Sequence, residues 1–515
     1  MSVSSPPQPG LAARESTVAS WITRSLAFAT PVRLAALQVG AVTIFVALVL
    51  ATPARGPARL VDLTANEGAH RRLVFWRETA PTWFPISDLS VPHALHTWGI
   101  RAILLALVLL QVLAIAGCAR ETCPSRVRWL LGPAISAIVL LLLAPLSADL
   151  FYYAISGYAV TEGVNPYLVP PAGFPDHPLL VLNDWRDLTS PYGPVWTHLS
   201  SVTVWLVGPN PIPAAVSFKV FALACAAGLV TLVYGFGFWL TASHHRATVA
   251  AVFVAWQPAL LVESAGTGHN DALMSLLALA GLWLVVRPDR GSTRVGLVIL
   301  TLATLVKYAT LPVLALAMLW RLTQYRFQRR QLAIAWGLDL STIGITGVFA
   351  FAPYWRGRST LASLTDEPGR LFTNPLWLLL ERIGQVFEGG APSQASAIGA
   401  TLATAVASGA FLWLAFRLYN AEPATSLAKI WLPQACAVSL IGLTLLPVNV
   451  HAWYLIWPVG VVALWCVCGA WRPARDVVVQ HDLGGPTAFR IPVWLWLYFI
   501  SAAVVYLGYH TRLSQ

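Results

Sequence analysis

Residues 129–153 read WLLGPAISAIVLLLLAPLSADLFYY. The stretch up to residue 147 is apolar, and its length matches the roughly 20 residues that a helix needs to cross a hydrocarbon core. It ends on Asp149, followed by Phe151, Tyr152 and Tyr153. A carboxylate at the mouth of an apolar helix is costly unless it has a task, so this stretch predicts both a membrane span and a site at its outer end. Comparable runs recur at about 34–51, 98–118, 213–239, 247–264, 271–286, 332–354, 396–418, 428–447, 453–471 and 491–508. The expected fold class is therefore all-α: a polytopic membrane bundle of about 11 full transmembrane helices. Composition agrees. Of 515 residues 57% are hydrophobic and 11% charged, with mean hydropathy +0.66, whereas soluble chains carry roughly 25% charged residues. A water-soluble enzyme and a disordered chain are both excluded. Six cysteines are too few for a disulfide scaffold, and no pair has metal-ligand spacing.

Charge placement orients the bundle. Residues 1–33 are rich in Ser, Pro and Ala, with Arg14, Arg24 and Arg33, and read as a disordered cytoplasmic tail before an uncleaved first helix. A single transmembrane domain then covers 34–508, and 509–515 is a second tail. With the N-terminus inside, the short cytoplasmic connections collect Arg120, Arg126, Arg128, Arg246, Arg287, Arg290, Arg294, Arg321, Arg326, Arg329, Arg330, Arg417, Lys429, Arg472, Arg475 and Arg490, as the positive-inside rule requires. The net charge of +11 is explained this way and needs no nucleic acid. The rule holds only if 194–207 does not cross, so that short stretch is expected to lie along the interface. Residues 295–320 have arginines at both ends and are expected to form a hairpin of two short half-helices, with Lys307 and Tyr308 near its tip. Non-helical backbone at membrane depth survives only in protein or beside a wet cavity, so this hairpin belongs to a site. The main outer loop is then 148–212 and a second outer loop 355–395. The loop 52–97 carries five arginines, which a long outer loop tolerates.

In this topology the unusual polar residues share the outer face: Asp149 and Tyr153; Asn165, Tyr167, Arg186 and Tyr192; Lys219; Glu263 and the run His269-Asn270-Asp271; Lys307; and His451, Trp453 and Tyr454. Ionisable groups and aromatics converging at a membrane edge suit a lipid-anchored polar substrate. Asp149, partly desolvated, is the candidate general base, its pKa expected to rise by burial. The plainer alternative makes Asp149 a helix cap, and Asn270 or Asp271 caps of the next helix. Lys307 and Lys219 either meet an anion such as a lipid phosphate or snorkel to the interface. His451 with Trp453, Tyr454 and Trp457 either serves the site or belongs to an aromatic belt. No metal and no cofactor are expected, and no glycine-rich phosphate loop is visible.

The ordered set Asp149-x-x-x-Tyr153, Gly157, Gly163-Val-Asn165-Pro166-Tyr167, Trp185-Arg186, Pro191-Tyr192-Gly193-Pro194, Gly268-His269-Asn270-Asp271, Lys307 and Trp453-Tyr454-Leu-Ile-Trp457 resembles the polyprenol-phosphomannose-dependent α-(1→6)-mannosyltransferases of actinobacteria, within the GT-C superfamily, from about residue 98 to 471. The resemblance implies an inverting transferase that moves a mannosyl residue from a polyprenyl monophosphate carrier to a hydroxyl of a glycan or glycolipid on the extracytoplasmic face of a bacterial plasma membrane. It implies Asp149 as base, His451 as an aid to phosphate departure and Tyr192-Gly193-Pro194 as the start of a membrane-parallel helix. Many GT-C enzymes show a paired acidic motif in this loop, whereas Asp149 is followed by Leu150 and the next acids are Glu162, Asp176, Asp184 and Asp187, so a second acidic partner is unassigned. Another hexose or a pentose donor would use the same scaffold. A transporter or flippase of a lipid-linked sugar is the competing class, and its signature, an internal repeat, is missing.

Overall fold

The computed structural model describes residues 30–50, 52–54, 90–142, 147–208, 210–287, 289–325, 328–364, 426–445 and 451–468, with isolated positions at 409–420 and 498–502. Most of the spans expected at 396–418 and 491–508, most of the loops 52–97 and 355–395, most of the tail 1–33 and the tail 509–515 lie outside the described residues. Thirteen helices carry the argument: α1 Pro31–Leu50, α2 His93–Arg120, α3 Arg126–Leu141, α4 Asp149–Thr161, α5 Pro194–Val207, α6 Pro211–Thr241, α7 His244–Ala255, α8 Asp271–Val285, α9 Arg290–Val306, α10 Leu311–Tyr325, α11 Arg329–Phe351, α12 Ser426–Leu445 and α13 Ile456–Cys468. Two three-residue strands, Thr52–Ala54 and Ser90–Pro92, pair in parallel.

Among the described residues four helical stretches are long and apolar enough to cross a membrane: Pro31–Val49, Trp98–Arg120, Ile212–Thr241 and Arg329–Phe351. The span expected over 247–264 is not one straight rod. His244–Ala255 and Pro258–Gly266 meet at 61°, because Pro258 lacks an N–H and its ring drives Gln257 out of the helical region, to φ −67, ψ 117. After Pro258 the chain widens into a π-helical turn, Val262–Gly266, the kind of irregular turn that often marks a functional site. Gly268 then takes φ +75, where a Cβ would lie 2.9 Å from Leu150 and 3.3 Å from the Lys219 backbone. Only glycine fits, and the reversal delivers His269, Asn270 and Asp271 to the head of α8.

The break in the 295–320 stretch falls at Lys307, whose backbone is extended at φ −153, ψ 128. The flanking helices are 17 and 15 residues long, about 25 and 22 Å at 1.5 Å per residue. They are longer than the expected half-helices. Helices α8 and α9 approach closely because Gly281 and Gly296 face each other: a Cβ on Gly296 would stand 2.7 Å from the Gly281 carbonyl oxygen. Within α11 Asp339 is buried, paired to Arg321 of α10 at 3.0 Å, so this charge pair ties α11 to its neighbour.

The loop over 148–212 is fixed to this frame at two glycines. Gly157 of α4 packs on the Ser200 carbonyl of α5. Gly193 donates its N–H to the Val306 carbonyl at 3.2 Å, and a Cβ there would overlap the Leu305 carbonyl. Helix α5 is 14 residues long and starts at Pro194, with Val202, Trp205 and Leu206 exposed. It is too short to span.

Gly193→Ala is expected to lose most of its folded yield in detergent, or to show a clearly depressed thermal midpoint. Gly344→Ala, on α11 with nothing within 4 Å of the added Cβ, is expected to leave both within about 1 kcal/mol of wild type. Equal midpoints for the two variants would contradict the close docking at Gly193.

Candidate active site

Asp149 begins α4 but does not cap it. Its two carboxylate oxygens accept side-chain hydrogen bonds, Oδ1 from Trp185 Nε1 and Oδ2 from the Tyr192 hydroxyl, each at 2.8 Å. His269 Nε2 stands 3.6 Å from Oδ2 and 3.1 Å from Ser147 Oγ, which also accepts from the Asp149 backbone N–H at 3.2 Å. On its other edge His269 Nδ1 meets Glu263 Oε2 at 3.0 Å and Thr267 Oγ1 at 2.6 Å. A carboxylate, an imidazole and a second carboxylate thus lie in line, all buried.

The electrostatics correct one expectation. Burial by itself would raise the Asp149 carboxyl. Hydrogen bonding and charge from His269, with the Tyr192 hydroxyl and the Lys307 ammonium, hold it well below the ordinary carboxylate range instead. Burial would likewise neutralise His269, and the flanking Asp149 and Glu263 carboxylates raise it to about 9. Near neutrality Asp149 is an anion beside an imidazolium.

The second half of the cluster is built around Lys307. Its Nζ contacts Asp271 Oδ1 at 2.9 Å and lies 5.6–5.9 Å from the ring centres of Tyr192, Trp453, Tyr454 and Trp457, within the range of cation–π attraction. Trp457 Nε1 donates to the same Asp271 oxygen. Asp271 is therefore no cap either, and Asn270, at the cap position, makes no side-chain capping bond. The Asn270 amide is buried with neither polar atom hydrogen-bonded, and Asp271 Oδ2 is likewise unpartnered. Trp453 stacks on His269 at 4.1 Å and on His451 at 4.2 Å. Tyr153 packs edge-on against Tyr192 and Trp196.

The remaining candidates act one layer out. Lys219, fully buried, donates to the carbonyls of Leu140 and Leu141 at 3.3 and 2.7 Å; it satisfies the end of α3 and does not snorkel. Asn165 donates to the Tyr354 carbonyl and accepts from the Tyr167 N–H, at 2.7 and 3.0 Å. The Tyr167 hydroxyl donates to the Tyr192 carbonyl at 2.9 Å. Arg186 Nε donates to the Asn183 carbonyl at 3.3 Å. These residues shape the loop that presents Tyr192 and Trp185. Trp185 stood in the sequence motifs without a site role and Trp457 as a member of either the site or an aromatic belt, while Ser147 and Thr267 gave no signal beyond lying next to a motif. Among the described residues no three His, Cys, Asp or Glu side chains form a metal-holding group.

Compared with known proteins, the chain matches the alpha-(1->6)-mannopyranosyltransferase, N-terminal domain, family model over residues 68–323. It is similar to the alpha-(1->6)-mannopyranosyltransferase A of Mycobacterium tuberculosis, at 29% identity over 52% of this chain and 51% of that protein. The protein of the same name from Corynebacterium glutamicum is 30% identical over 29% of this chain and 30% of its own length. A probable alpha-(1->6)-mannopyranosyltransferase of Mycolicibacterium smegmatis is 27% identical over 68% of this chain and 67% of its own. The chain thus spans about half the length of the Mycobacterium tuberculosis relative it matches. No solved structure matches. The family match takes in Asp149 through Lys307, whereas His451, Trp453 and Tyr454 lie beyond it.

Lys307→Met should destabilise the protein by about 3 kcal/mol, because it leaves the Asp271 carboxylate buried without its cation. Adding Asp271→Asn should restore much of that loss, read as thermal midpoints of the two single variants and the double. Strict additivity would show that the two side chains are not paired.

Proposed function

We propose that the protein is an inverting glycosyltransferase. It moves a mannosyl residue from a polyprenyl monophosphate to a hydroxyl of a glycan or glycolipid, on the extracytoplasmic side of a bacterial cell membrane. The observation that carries the reading is Tyr192. Its hydroxyl holds the candidate base, Asp149, and its ring lies against the candidate phosphate cation, Lys307. The family match over residues 68–323 supports mannose as the sugar. The positive-inside pattern supports 11 full spans, an interfacial α5, and α9 and α10 as a hairpin entered from the cytoplasm, which puts Asp149 and Lys307 on the outer side.

In the reaction the acceptor oxygen attacks C1 from the face opposite the phosphate, and its proton passes to Asp149. The bond from C1 to the phosphate oxygen breaks as the new glycosidic bond forms, so a β-linked donor gives an α product. Negative charge accumulates on the departing phosphate, and the Lys307 ammonium is placed to meet it in a largely dry environment. Until the donor arrives, Asp271 holds that ammonium. Asn270 and the second oxygen of Asp271, both unpartnered, are suited to sugar hydroxyls, since a buried polar group without a partner is costly. Burial keeps the His451 ring neutral, so it offers the phosphate an N–H and no charge. Tyr153, Tyr454 and Trp453 wall the sugar site, and Asn165, Tyr167 and Arg186 hold the loop over it.

Asp149→Asn keeps the size of the side chain and removes the proton acceptor. In membranes supplied with labelled polyprenyl-phosphomannose, this variant should lose transfer by about 10²–10⁴-fold, at normal expression and with donor binding retained. Normal turnover would sink the assignment of the base.

A further inference from the structure

The in-line arrangement of Asp149, His269 and Glu263 is more than substrate contact requires. Glu263 sits in the π-helical turn, 3% exposed, with its Oε2 accepting from Thr267 Oγ1 at 3.0 Å and facing His269 Nδ1 at 3.0 Å. Its carboxylate is buried and meets the imidazole and the Thr267 hydroxyl. His269 is 1% exposed, pinned on one flat side by Trp453 and on its two edges by the carboxylates. Its Nε2 edge is the one turned to the base.

Resting on the transferase reading above, we propose that Glu263 is a positioning residue for the base. It holds His269 as a cation with Nε2 toward Asp149, and so determines the pH range over which Asp149 works. A buried carboxylate needs a compensating charge, and one held by two neutral donors from Trp185 and Tyr192 still lacks it. The imidazolium supplies that charge, and Glu263 in turn keeps the imidazole charged against its own burial. After Asp149 takes the acceptor proton, the neighbouring cation favours release of that proton to water, which returns the carboxylate for the next turnover. A neutral His269 would leave the buried Asp149 without that charge and shift it toward its protonated form, which cannot take the acceptor proton.

The other groups around His269 do not substitute for Glu263. Ser147 and Thr267 are neutral. His451 lies behind Trp453 and is itself kept neutral by burial. Asp271 is engaged by Lys307 and Trp457. The positive charge of Lys307 opposes a second cation nearby, and the Lys219 ammonium is turned away to the carbonyls of α3.

The test is Glu263→Gln, with Glu263→Asp as the conservative partner, each in lipid nanodiscs, with two readouts. In the first, histidine carrying ¹³C and ¹⁵N labels is followed by NMR against pH, the His269 signal being assigned among the eleven histidines by its loss in His269→Asn. Wild-type His269 should stay an imidazolium past neutrality, and Glu263→Gln should titrate about 1–3 pH units lower. In the second, transfer of labelled mannose is measured against pH. The alkaline limb of kcat should move down by the same amount in Glu263→Gln, the acid side should stay near wild type, the donor KM should be unchanged, and Glu263→Asp should recover much of the range. A His269 signal that titrates alike in wild type and variant, or a rate reduced equally at every pH, overturns the proposal. If Glu263→Gln does not fold, Glu263→Asp alone decides: a smaller shift in the same direction supports the proposal and an unmoved profile overturns it. Wild-type membranes that move no mannose would defeat the transferase reading and leave the NMR titration to decide the role of Glu263.

Discussion

The site depends on one backbone contact, the Gly193 N–H on the Val306 carbonyl. It joins two segments that the chain keeps more than a hundred residues apart: the loop that carries Trp185 and Tyr192, and the hinge that carries Lys307. Because Gly193 has no Cβ, the loop backbone lies directly on the end of α9. Tyr192 is thereby left with its hydroxyl on Asp149 and its ring beside the ammonium. Move the loop outward by the width of a methyl group, and Asp149 loses a hydrogen bond while Lys307 loses one of its four aromatic neighbours.

The constraint behind this arrangement is the cost of burying charge. Asp149, Glu263, His269 and Asp271 are all buried where the apolar helices end, and each is placed so that an opposite charge or a strong donor meets it. Two chains of partners result. Asp149, His269 and Glu263 form one; Asp271, Lys307 and the aromatic walls form the other, with Tyr192 and Trp453 in contact with both. The first is suited to holding and releasing a proton, and the second to holding an anion. Asn270 and one oxygen of Asp271 are left without partners between the head of α8 and the lysine, which is where a sugar attached to that anion would need recognition.

The all-helical character and the presence of helices long and apolar enough to cross a membrane could be read from apolar run lengths, and so could the gathering of Asp149, His269, Asp271, Lys307 and Trp453, because a charged side chain at the end of an apolar helix is rarely idle. What escaped the sequence was direction. Lys219 looked like an equal of Lys307, yet its side chain turns to the carbonyls of α3, a choice made by packing at Gly268 and by the end of another helix. The bend at Pro258 lay inside an apolar run long enough to read as one span despite Gln257-Pro258, and with it the wide turn that sets Glu263 against His269. The rise expected for Asp149 rested on burial alone, whereas its partners come from three distant segments that no local spacing reveals. Asn165 and Tyr167 were read as substrate contacts, and in the structure their polar atoms tie the loop to Tyr192 and to Tyr354 beyond α11.

The central claim is that donor phosphate and base occupy one outer cluster centred on Lys307 and Asp149. A structure determined by electron cryo-microscopy with a non-transferable polyprenyl-phosphomannose analogue bound tests it most directly. The account predicts the phosphate within hydrogen-bond distance of Lys307 Nζ, the sugar against Asn270 and Asp271, and C1 open on the side of Asp149. A phosphate bound at the arginine-rich connections on the opposite ends of the helices, or a sugar ring remote from Asp149, would contradict it.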